Sequence, residues 1–214
     1  MVGRSMPGIA EIRSNDRERH GVTRAYVPTR SELKNLFRSL EGSRHKIRNN
    51  LIMCLSFYSG LRCSEIAALR LSDLFLADGS QKGETEILGK GGRSRKIYLN
   101  SKPLQLALEE FKNDKCNFKD LFENRSRYVV LNQSKKPMNA LGMCKLMKWI
   151  FKGANLARCS SHSGRRWFIS QVIYKTGNIG LAKKYAGHSD IRTTLIYFED
   201  NPQLLRDVAA NIYK

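Results

Sequence analysis

The spacing of apolar residues predicts a mainly helical chain whose regular structure begins near residue 28. In "VPTRSELKNLFRSLE", four apolar residues recur at helical spacing between Leu33 and Leu40. Thr29 lies three residues before Glu32, a capping-box pattern that predicts the start of this helix. A second helix is predicted in "SRHKIRNNLIMCLSFYSG", with Gly60 as its stop, and a short third helix in "CSEIAALRL".

The pattern then changes to one strand pair before helices resume. "ETEILGKGGRSRKIYL" has a glycine-rich turn between two strand-like runs, which predicts a β-hairpin. Helical spacing returns at the following positions: 102–113, 139–153, 163–176, 178–186, 190–198 and 201–212. We therefore predict an α+β fold, mostly helical, with one small antiparallel sheet. Residues 1–27 are polar and arginine-rich and are predicted to form a flexible arm, before a single domain over 28–214 that ends in a tail helix at about 200–214.

Charge is the first functional signal. The chain has 38 Lys and Arg against 19 Asp and Glu, a net charge of +19, which indicates a polyanionic partner and favours nucleic acid. The sequence has no apolar run long enough to span a bilayer and no signal peptide, so we expect a cytoplasmic protein. Its five cysteines lack CxxC or zinc-ligand spacing, which predicts reduced thiols and no metal site.

Two stretches in the first half carry residues suited to phosphate chemistry. In "SGLRCSEIAALRL", Arg62 follows a Gly-Leu turn at a helix start, where an arginine would complete an anion site. Glu65 could cap that helix or hold the guanidinium, and a purely structural pair is the alternative. In "GKGGRSRKIYL", Lys90 lies at the hairpin turn, where a long ammonium can reach outward. An ordinary exposed lysine is the alternative, and the spacing is not that of a Walker loop.

Two stretches in the second half add a base, a guanidinium and a phenol. "SSHSGRRWF" places His162 and Arg165 three residues apart, on one face of a helix that starts near Ser161. "AGHSDIRTTLIYFED" contains His188 and, nine positions later, Tyr197. Considered alone, Tyr197 has the spacing of an ordinary packing residue, so the other stretches decide its interpretation.

Together these stretches resemble the tyrosine recombinase (phage integrase) family. The family motifs are matched by Arg62 in "GLRCSE", Lys90 in "GKGG", His162 and Arg165 in "HSGR", and His188 and Tyr197 in "GHSDIRTTLIY". All six positions are filled in the family's order, and the resemblance covers roughly residues 28–212. It implies the family's catalytic-domain fold and the breaking and rejoining of DNA strands.

The resemblance also assigns the nucleophile and the groups that stabilise the transition state. Tyr197 would attack the phosphodiester and form a 3′-phosphotyrosyl link. Arg62 and Arg165 would stabilise charge on the pentacoordinate phosphorus, and His188 would donate a further hydrogen bond.

Two further groups would move protons, and no cofactor or metal is expected. His162 is the expected general base and Lys90 the expected general acid for the leaving 5′-oxygen.

The chain departs from the family pattern in three places. Gly164 and Arg166 replace the leucine and histidine that usually flank the arginine of "HxLRH". Typical members carry a helical core-binding domain before the catalytic domain, whereas only residues 1–27 precede it here. The chain is either a compact natural member, like the small fimbrial phase-switch invertases, or a truncated protein.

The expected partner is double-stranded DNA, bound by a homotetramer on two sites with one dimer per site. Accessory DNA-bending or directionality proteins and a nucleoid location follow from the same resemblance. The resemblance also suggests a tail helix that docks on a neighbouring copy, and packing of that helix on its own domain is the alternative. The expected DNA contacts are Arg93, Arg95, Lys96 and Arg166, with the arm residues Arg13, Arg17, Arg19 and Arg24. A type IB topoisomerase-like enzyme and a non-catalytic DNA-binding accessory protein remain the alternatives.

Overall fold

A computed structural model describes residues 25–89, 92 and 94–199, without the side chains of residues 115, 116, 198 and 199. The helices in these residues are α1 (Arg30–Leu40), α2 (Lys46–Ser59), α3 (Cys63–Ala68), α4 (Leu71–Leu74), α5 (Lys102–Asn113), α6 (Lys115–Glu123), α7 (Ala140–Gly153), α8 (Ser163–Thr176), α9 (Ile179–Ala186) and α10 (Arg192–Glu199). Strands β1 (Glu84–Leu88) and β2 (Ser94–Tyr98) form the predicted antiparallel hairpin, with Glu84 opposite Tyr98 and Leu88 opposite Ser94. The mostly helical α+β fold is confirmed.

Several predicted helix ends are found in the structure. The Thr29 side chain accepts a hydrogen bond from the Glu32 backbone N–H at 3.2 Å, and the Glu32 carboxylate accepts one from the Thr29 N–H at 2.7 Å. This capping box starts α1, and α2 ends just before Gly60, both as predicted. The arm up to residue 24 and the predicted tail helix lie outside the described residues.

Besides the four-residue helix α4, the sequence pattern did not predict helix α6. Phe118, Leu121 and Phe122 share one face of α6, but only Leu121 of these three is buried, and the two phenylalanine rings are half exposed. With nine residues, α6 is too short for the helical period to be recognised in the sequence. The run "YVVLNQ" likewise buries Val129 and Val130 but pairs only through isolated bridges.

Helix α2 is the centre of the larger of two hydrophobic cores. Every residue from Leu51 to Phe57 is buried, because α2 packs on α1, α5 and α8. The smaller core consists of four side chains on α8 and α9, namely Ile169, Ile173, Ala182 and Ala186. No helix among the described residues is long and apolar enough to cross a membrane.

Candidate active site

Arg62 and Glu65 form the base of the site at the start of α3. The Arg62 backbone N–H donates to Glu65 Oε2 at 2.7 Å, and Arg62 Nη1 lies 2.7 Å from Glu65 Oε1. Glu65 therefore has both of the roles that the sequence suggested: it caps α3, and it holds the Arg62 guanidinium. The Glu65 side chain is only 3% exposed, so its charge is compensated inside the protein.

Arg165 lies deeper, in the first turn of α8, where its side chain is 5% exposed. Its Nη1 donates to the Gly60 carbonyl at 2.6 Å, and its Nη2 donates to the Ala186 carbonyl. Nη1 is also 4.0 Å from Glu65 Oε2. Burial, with the neighbouring positive charges, lowers the pKa of Arg165 to about 9, so it remains protonated at neutral pH. Both carbonyls belong to helix ends, and their partners fix the guanidinium in one orientation.

Gly164, one of the departures from the family pattern, permits a close approach between α8 and α2. A Cβ at this position would lie 2.2 Å from Ser56 Oγ and 3.0 Å from a ring carbon of Phe57. A leucine, the usual family residue here, would overlap the buried surface of α2 in this packing. Glycine therefore sets the depth at which Arg165 enters the site.

Arg95, which the sequence predicts to be a DNA contact, does not lie on the outer surface. Its side chain is 9% exposed, with Nη2 2.8 Å from Glu65 Oε2 and Nη1 donating to the Tyr185 carbonyl at 3.1 Å. The period of the strand explains this placement, because Arg95 shares a face with Ile97 and lies opposite Ile87, which are both buried. We call Arg62, Glu65, Arg95 and Arg165 the guanidinium cluster.

The cluster has three guanidinium groups around one carboxylate, so its net charge is positive. Burial alone would raise the pKa of Glu65. The guanidinium of Arg95, the backbone N–H of Arg62 and the remaining positive charges outweigh that effect and lower the pKa of Glu65 below its usual value. A site with excess positive charge and little solvent is suited to a phosphodiester whose negative charge increases in the transition state.

Two histidines lie within reach of this charge. His162 is an exposed residue that immediately precedes α8. Partial desolvation is the largest cause that lowers its pKa, and the charges of Arg165 and Arg62 lower it further. Burial, followed by the guanidinium cluster, lowers the pKa of His188 to about 4. Both rings are therefore neutral at pH 7. His188 Nδ1 lies 3.0 Å from the hydroxyl of Thr194, which is fully buried.

Tyr197 lies beside His188 on α10, half-buried against the smaller core. The two rings are nearly parallel, with centroids 6.0 Å apart, and the phenol interacts electrostatically with Arg165. The Arg166 guanidinium lies over the Tyr197 ring, with its central carbon 5.5 Å from the ring centroid. Arg166 also donates to the Ala25 carbonyl at 3.0 Å.

The structure thus brings five of the six predicted catalytic residues to one place: Arg62, His162, Arg165, His188 and Tyr197. Lys90 and the predicted DNA contact Arg93 lie outside the described residues. Lys96 is on the outer face of the hairpin, 61% exposed and paired with Glu84 at 2.6 Å.

Comparison with known proteins finds tyrosine recombinases among the proteins similar to this chain. The chain is 28% identical over 189 residues to tyrosine recombinase XerD of Halalkalibacterium halodurans, covering 86% of this chain and 60% of the relative. It is 30% identical over 177 residues to TnP I resolvase of Bacillus thuringiensis, covering 82% of this chain and 58% of the relative. The chain therefore spans about three fifths of the length of these curated relatives.

Solved structures share the fold. The crystal structure of XerA recombinase superposes with a TM-score of 0.69 at 17% identity, covering 90% of this chain and 67% of the other. XerH site-specific recombinase bound to palindromic difH substrate superposes with a TM-score of 0.68 at 22% identity, covering 92% of this chain and 56% of the other. The family model described as "Phage integrase family" matches residues 27–203. The chain belongs to the phage integrase family.

Proposed function

We propose that this chain is the catalytic part of a tyrosine-type site-specific DNA recombinase. The observation that carries the proposal is the position of Tyr197, which lies beside His188 and within the electrostatic reach of the buried Arg165. A phenol next to a fixed guanidinium is suited to attack a phosphodiester and to keep the bond energy in a covalent ester.

In the first step, Tyr197 Oη attacks the phosphorus of the scissile phosphodiester. The bond from Oη to phosphorus forms and the bond from phosphorus to the 5′-oxygen breaks, which leaves a 3′-phosphotyrosyl link. His162 accepts the phenolic proton, and its lowered pKa keeps it neutral and able to do so. Lys90 protonates the leaving 5′-oxygen. The reverse reaction, with a 5′-hydroxyl from a partner strand, rejoins the DNA.

Arg62 and Arg165 stabilise the negative charge that develops on the non-bridging oxygens. Their guanidiniums are fixed before the substrate binds, so little reorganisation accompanies the reaction. His188 adds a neutral donor: if the Thr194 hydroxyl donates to Nδ1, the single ring proton is on Nε2 and points away from Thr194. Because the pKa of His188 is about 4, this form persists at neutral pH.

The proposed substrate is double-stranded DNA, and the proposed assembly is a homotetramer on two sites. The net charge of +19 supports a polyanionic partner. Solved structures similar to this chain contain DNA, among them XerH bound to difH substrate and a dimer of lambda integrase bound to a COC′ core site. Lys96 and Arg93 are proposed as contacts with the DNA backbone.

The test works on a mixture of target sequences, so the cognate site need not be defined in advance. A pool of random-sequence duplexes with scattered single-strand nicks is incubated with the full chain, and covalent adducts are recovered after denaturation with detergent. Nicks near the cleavage site release a short fragment, so the adduct cannot reverse. We expect the wild type to select one duplex family and Tyr197→Phe to form no adduct. Tyr185→Phe is the matched control and should retain the adduct.

Three outcomes contradict the proposal in different ways. Adduct formation by Tyr197→Phe would mean that another residue is the nucleophile. DNA binding by the wild type without any adduct would favour a non-catalytic accessory protein. Efficient relaxation of a supercoiled plasmid carrying a single copy of the selected sequence, without pairing of two sites, would favour a type IB topoisomerase-like enzyme.

A further inference from the structure

Arg95 is a buried arginine in the candidate site that none of the proposed chemical steps uses. It lies on β2, and its side chain extends away from solvent towards α3 and α9. Nη2 contacts Glu65 Oε2 at 2.8 Å, and Nη1 donates to the Tyr185 carbonyl at 3.1 Å. An arginine with both terminal nitrogens engaged inside the protein has lost most of its freedom to reach a substrate.

The packing around the Arg95 stem is as restrictive as its hydrogen bonds. Gly187, at the end of α9, has a φ of +61°, and a Cβ there would lie 2.5 Å from Arg95 Cδ. The turn that leads to His188 therefore lies directly against the Arg95 side chain. At the foot of the hairpin, the Tyr98 and Tyr185 rings meet edge to face, with centroids 5.3 Å apart, which keeps β2 against α9.

Through these contacts Arg95 joins three segments that each carry a proposed catalytic group. Glu65 holds Arg62 on α3, the Tyr185 carbonyl and Gly187 precede His188, and β2 follows the stretch of sequence that contains Lys90. Each segment comes from a different part of the sequence, and a single guanidinium contacts two of them from the third.

We infer that Arg95 is a positioning residue that fixes the spacing between Arg62, the His188 turn and the β-hairpin. The inference rests on the proposed function, since it assigns a role within that site. A planar guanidinium can serve two acceptors in fixed directions, whereas an ammonium is a point charge and serves them poorly. Displacement of reacting groups by about 1 Å costs on the order of 100-fold in rate.

The experiment compares Arg95→Met and Arg95→Lys with a control, Lys119→Met. Lys119 on α6 also carries a positive charge, but it pairs with Glu123 at the surface and lies outside the site. The readouts are the single-turnover rate of adduct formation on the nicked duplex selected with the wild type, the Kd for that duplex, and the thermal unfolding midpoint.

We expect Arg95→Met to lower the cleavage rate at saturating DNA by about 100-fold, with a much smaller change in Kd. Arg95→Lys should remain about tenfold below the wild type, because it keeps the charge but not the two directed hydrogen bonds. Lys119→Met should cleave at the wild-type rate. Cleavage by Arg95→Met within threefold of the wild type, or full activity of Arg95→Lys, would overturn the inference.

A second readout separates positioning from a general loss of structure. The chain has four histidines, so their ring signals can be followed individually by NMR as pH is changed. The charges of Arg165, Arg62 and Arg95 all add to burial in holding down the pKa of His188. We expect the pKa of His188 to rise from about 4 in Arg95→Met and to stay low in Arg95→Lys and Lys119→Met. An unchanged pKa in Arg95→Met would mean that the guanidinium does not lie against this turn, and would overturn the inference.

Failure of the inference can be distinguished from failure of the proposed function. If the wild type forms no adduct with the duplex pool, the proposed function fails. If the wild type forms the adduct and Arg95→Met does so at a similar rate, only the role of Arg95 fails.

Discussion

The two sides of the candidate site are held in different ways. On one side, three members of the guanidinium cluster (Glu65, Arg95 and Arg165) are almost fully buried and Arg62 is 24% exposed. Backbone carbonyls and Glu65 fix the guanidiniums in direction as well as position. On the other side, Tyr197 lies on a short helix against a core of four side chains, and its ring contacts are with His188 and Arg166.

Under the proposed function, the difference separates the groups that stabilise charge from the helix that carries the nucleophile. Fixed charges stabilise a transition state best when they need no reorganisation, which is the condition met by the guanidinium cluster. A nucleophile, in contrast, must approach and leave the phosphorus, and a helix that buries little apolar area can be displaced at low cost. We therefore treat the guanidinium cluster as the fixed side of the site and α10 as its adjustable side.

The strongest test of the fixed side is Arg165→Ala. Loss of a preorganised donor to a developing oxyanion costs on the order of 100- to 1,000-fold in rate. We expect a loss of at least that size in single-turnover cleavage, with DNA affinity largely retained, because the interaction strengthens in the transition state. Gel-shift titration gives the affinity, and Arg165→Lys serves as the charge-retaining control. Equal losses in affinity and rate would contradict the assignment of Arg165 to transition-state stabilisation.

Glu65→Gln tests whether the cluster needs its single carboxylate. Removal of one partner from a buried ion pair costs about 3 kcal/mol or more, so we expect a similar loss in the free energy of unfolding at pH 7. The pKa of Glu65 is lowered in the folded state. Its contribution is therefore complete above the ordinary glutamate pKa of about 4.3 and is lost as pH falls from there through the lowered folded value.

Urea unfolding between pH 7 and pH 3 separates this effect from that of His188. The pKa of His188 is about 4 in the folded state, against 6.5 as its ordinary value, so its stabilising contribution is lost as pH falls from 6.5 to about 4. In Glu65→Gln, the free energy of unfolding should still decrease as pH falls from 6.5 to about 4, but its further decrease at lower pH should be smaller than in the wild type. Glu109→Gln removes a carboxyl that has a lowered pKa but lies at the surface, and should change neither decrease strongly. An unchanged decrease at low pH in Glu65→Gln would mean that this carboxylate does not hold the cluster together.

The sequence predicted the fold well where local signals and periodicity agree. The capping box at Thr29, the stop at Gly60 and the helix over 163–176 follow from side chains within a few residues of each element. Helix α6 was not predicted because its nine residues are too few to establish the helical period. Local pattern can locate a helix only where that period repeats over several turns.

The candidate site was predictable in its members but not in its connections. Order and spacing indicated Arg62, His162, Arg165, His188 and Tyr197, because each belongs to a short family motif. The carbonyl partners of Arg165 come from α2 and α9 and have no sequence signature. Arg95 could have been found: the alternation of β2 places it on the buried face with Ile97, although its charge and the basic hairpin favoured an outward position.

Gly164→Ala tests how the fixed side is set against α2. The added methyl would meet Ser56 Oγ at 2.2 Å, so we expect a net loss of about 1–3 kcal/mol in the free energy of unfolding despite the better helix propensity of alanine. Ser56→Ala in the same chain should recover part of the loss, which a double-mutant cycle in urea would measure. Gly180→Ala is the matched control on α9, where the nearest atom is Asn178 Oδ1 at 3.3 Å, and should change stability little. Strict additivity of the two substitutions would show that the helices do not meet at this point.

Arg166→Met tests the adjustable side and should have the smallest effect. The Arg166 guanidinium lies 5.5 Å from the Tyr197 ring centroid, a contact worth about 0.5–1 kcal/mol at a partly exposed site. We therefore expect the cleavage rate at saturating DNA to fall by roughly threefold, with an unchanged dependence of Kd on salt. If Arg166 instead contacts a phosphate, Arg166→Met should reduce the slope of log affinity against log salt concentration by about 1, the change expected for one lost phosphate contact. The cleavage rate at saturating DNA should then be unchanged. The two outcomes assign Arg166 either to the helix that carries the nucleophile or to the DNA backbone. Only the first makes the residue that replaces the family's histidine part of how Tyr197 is held.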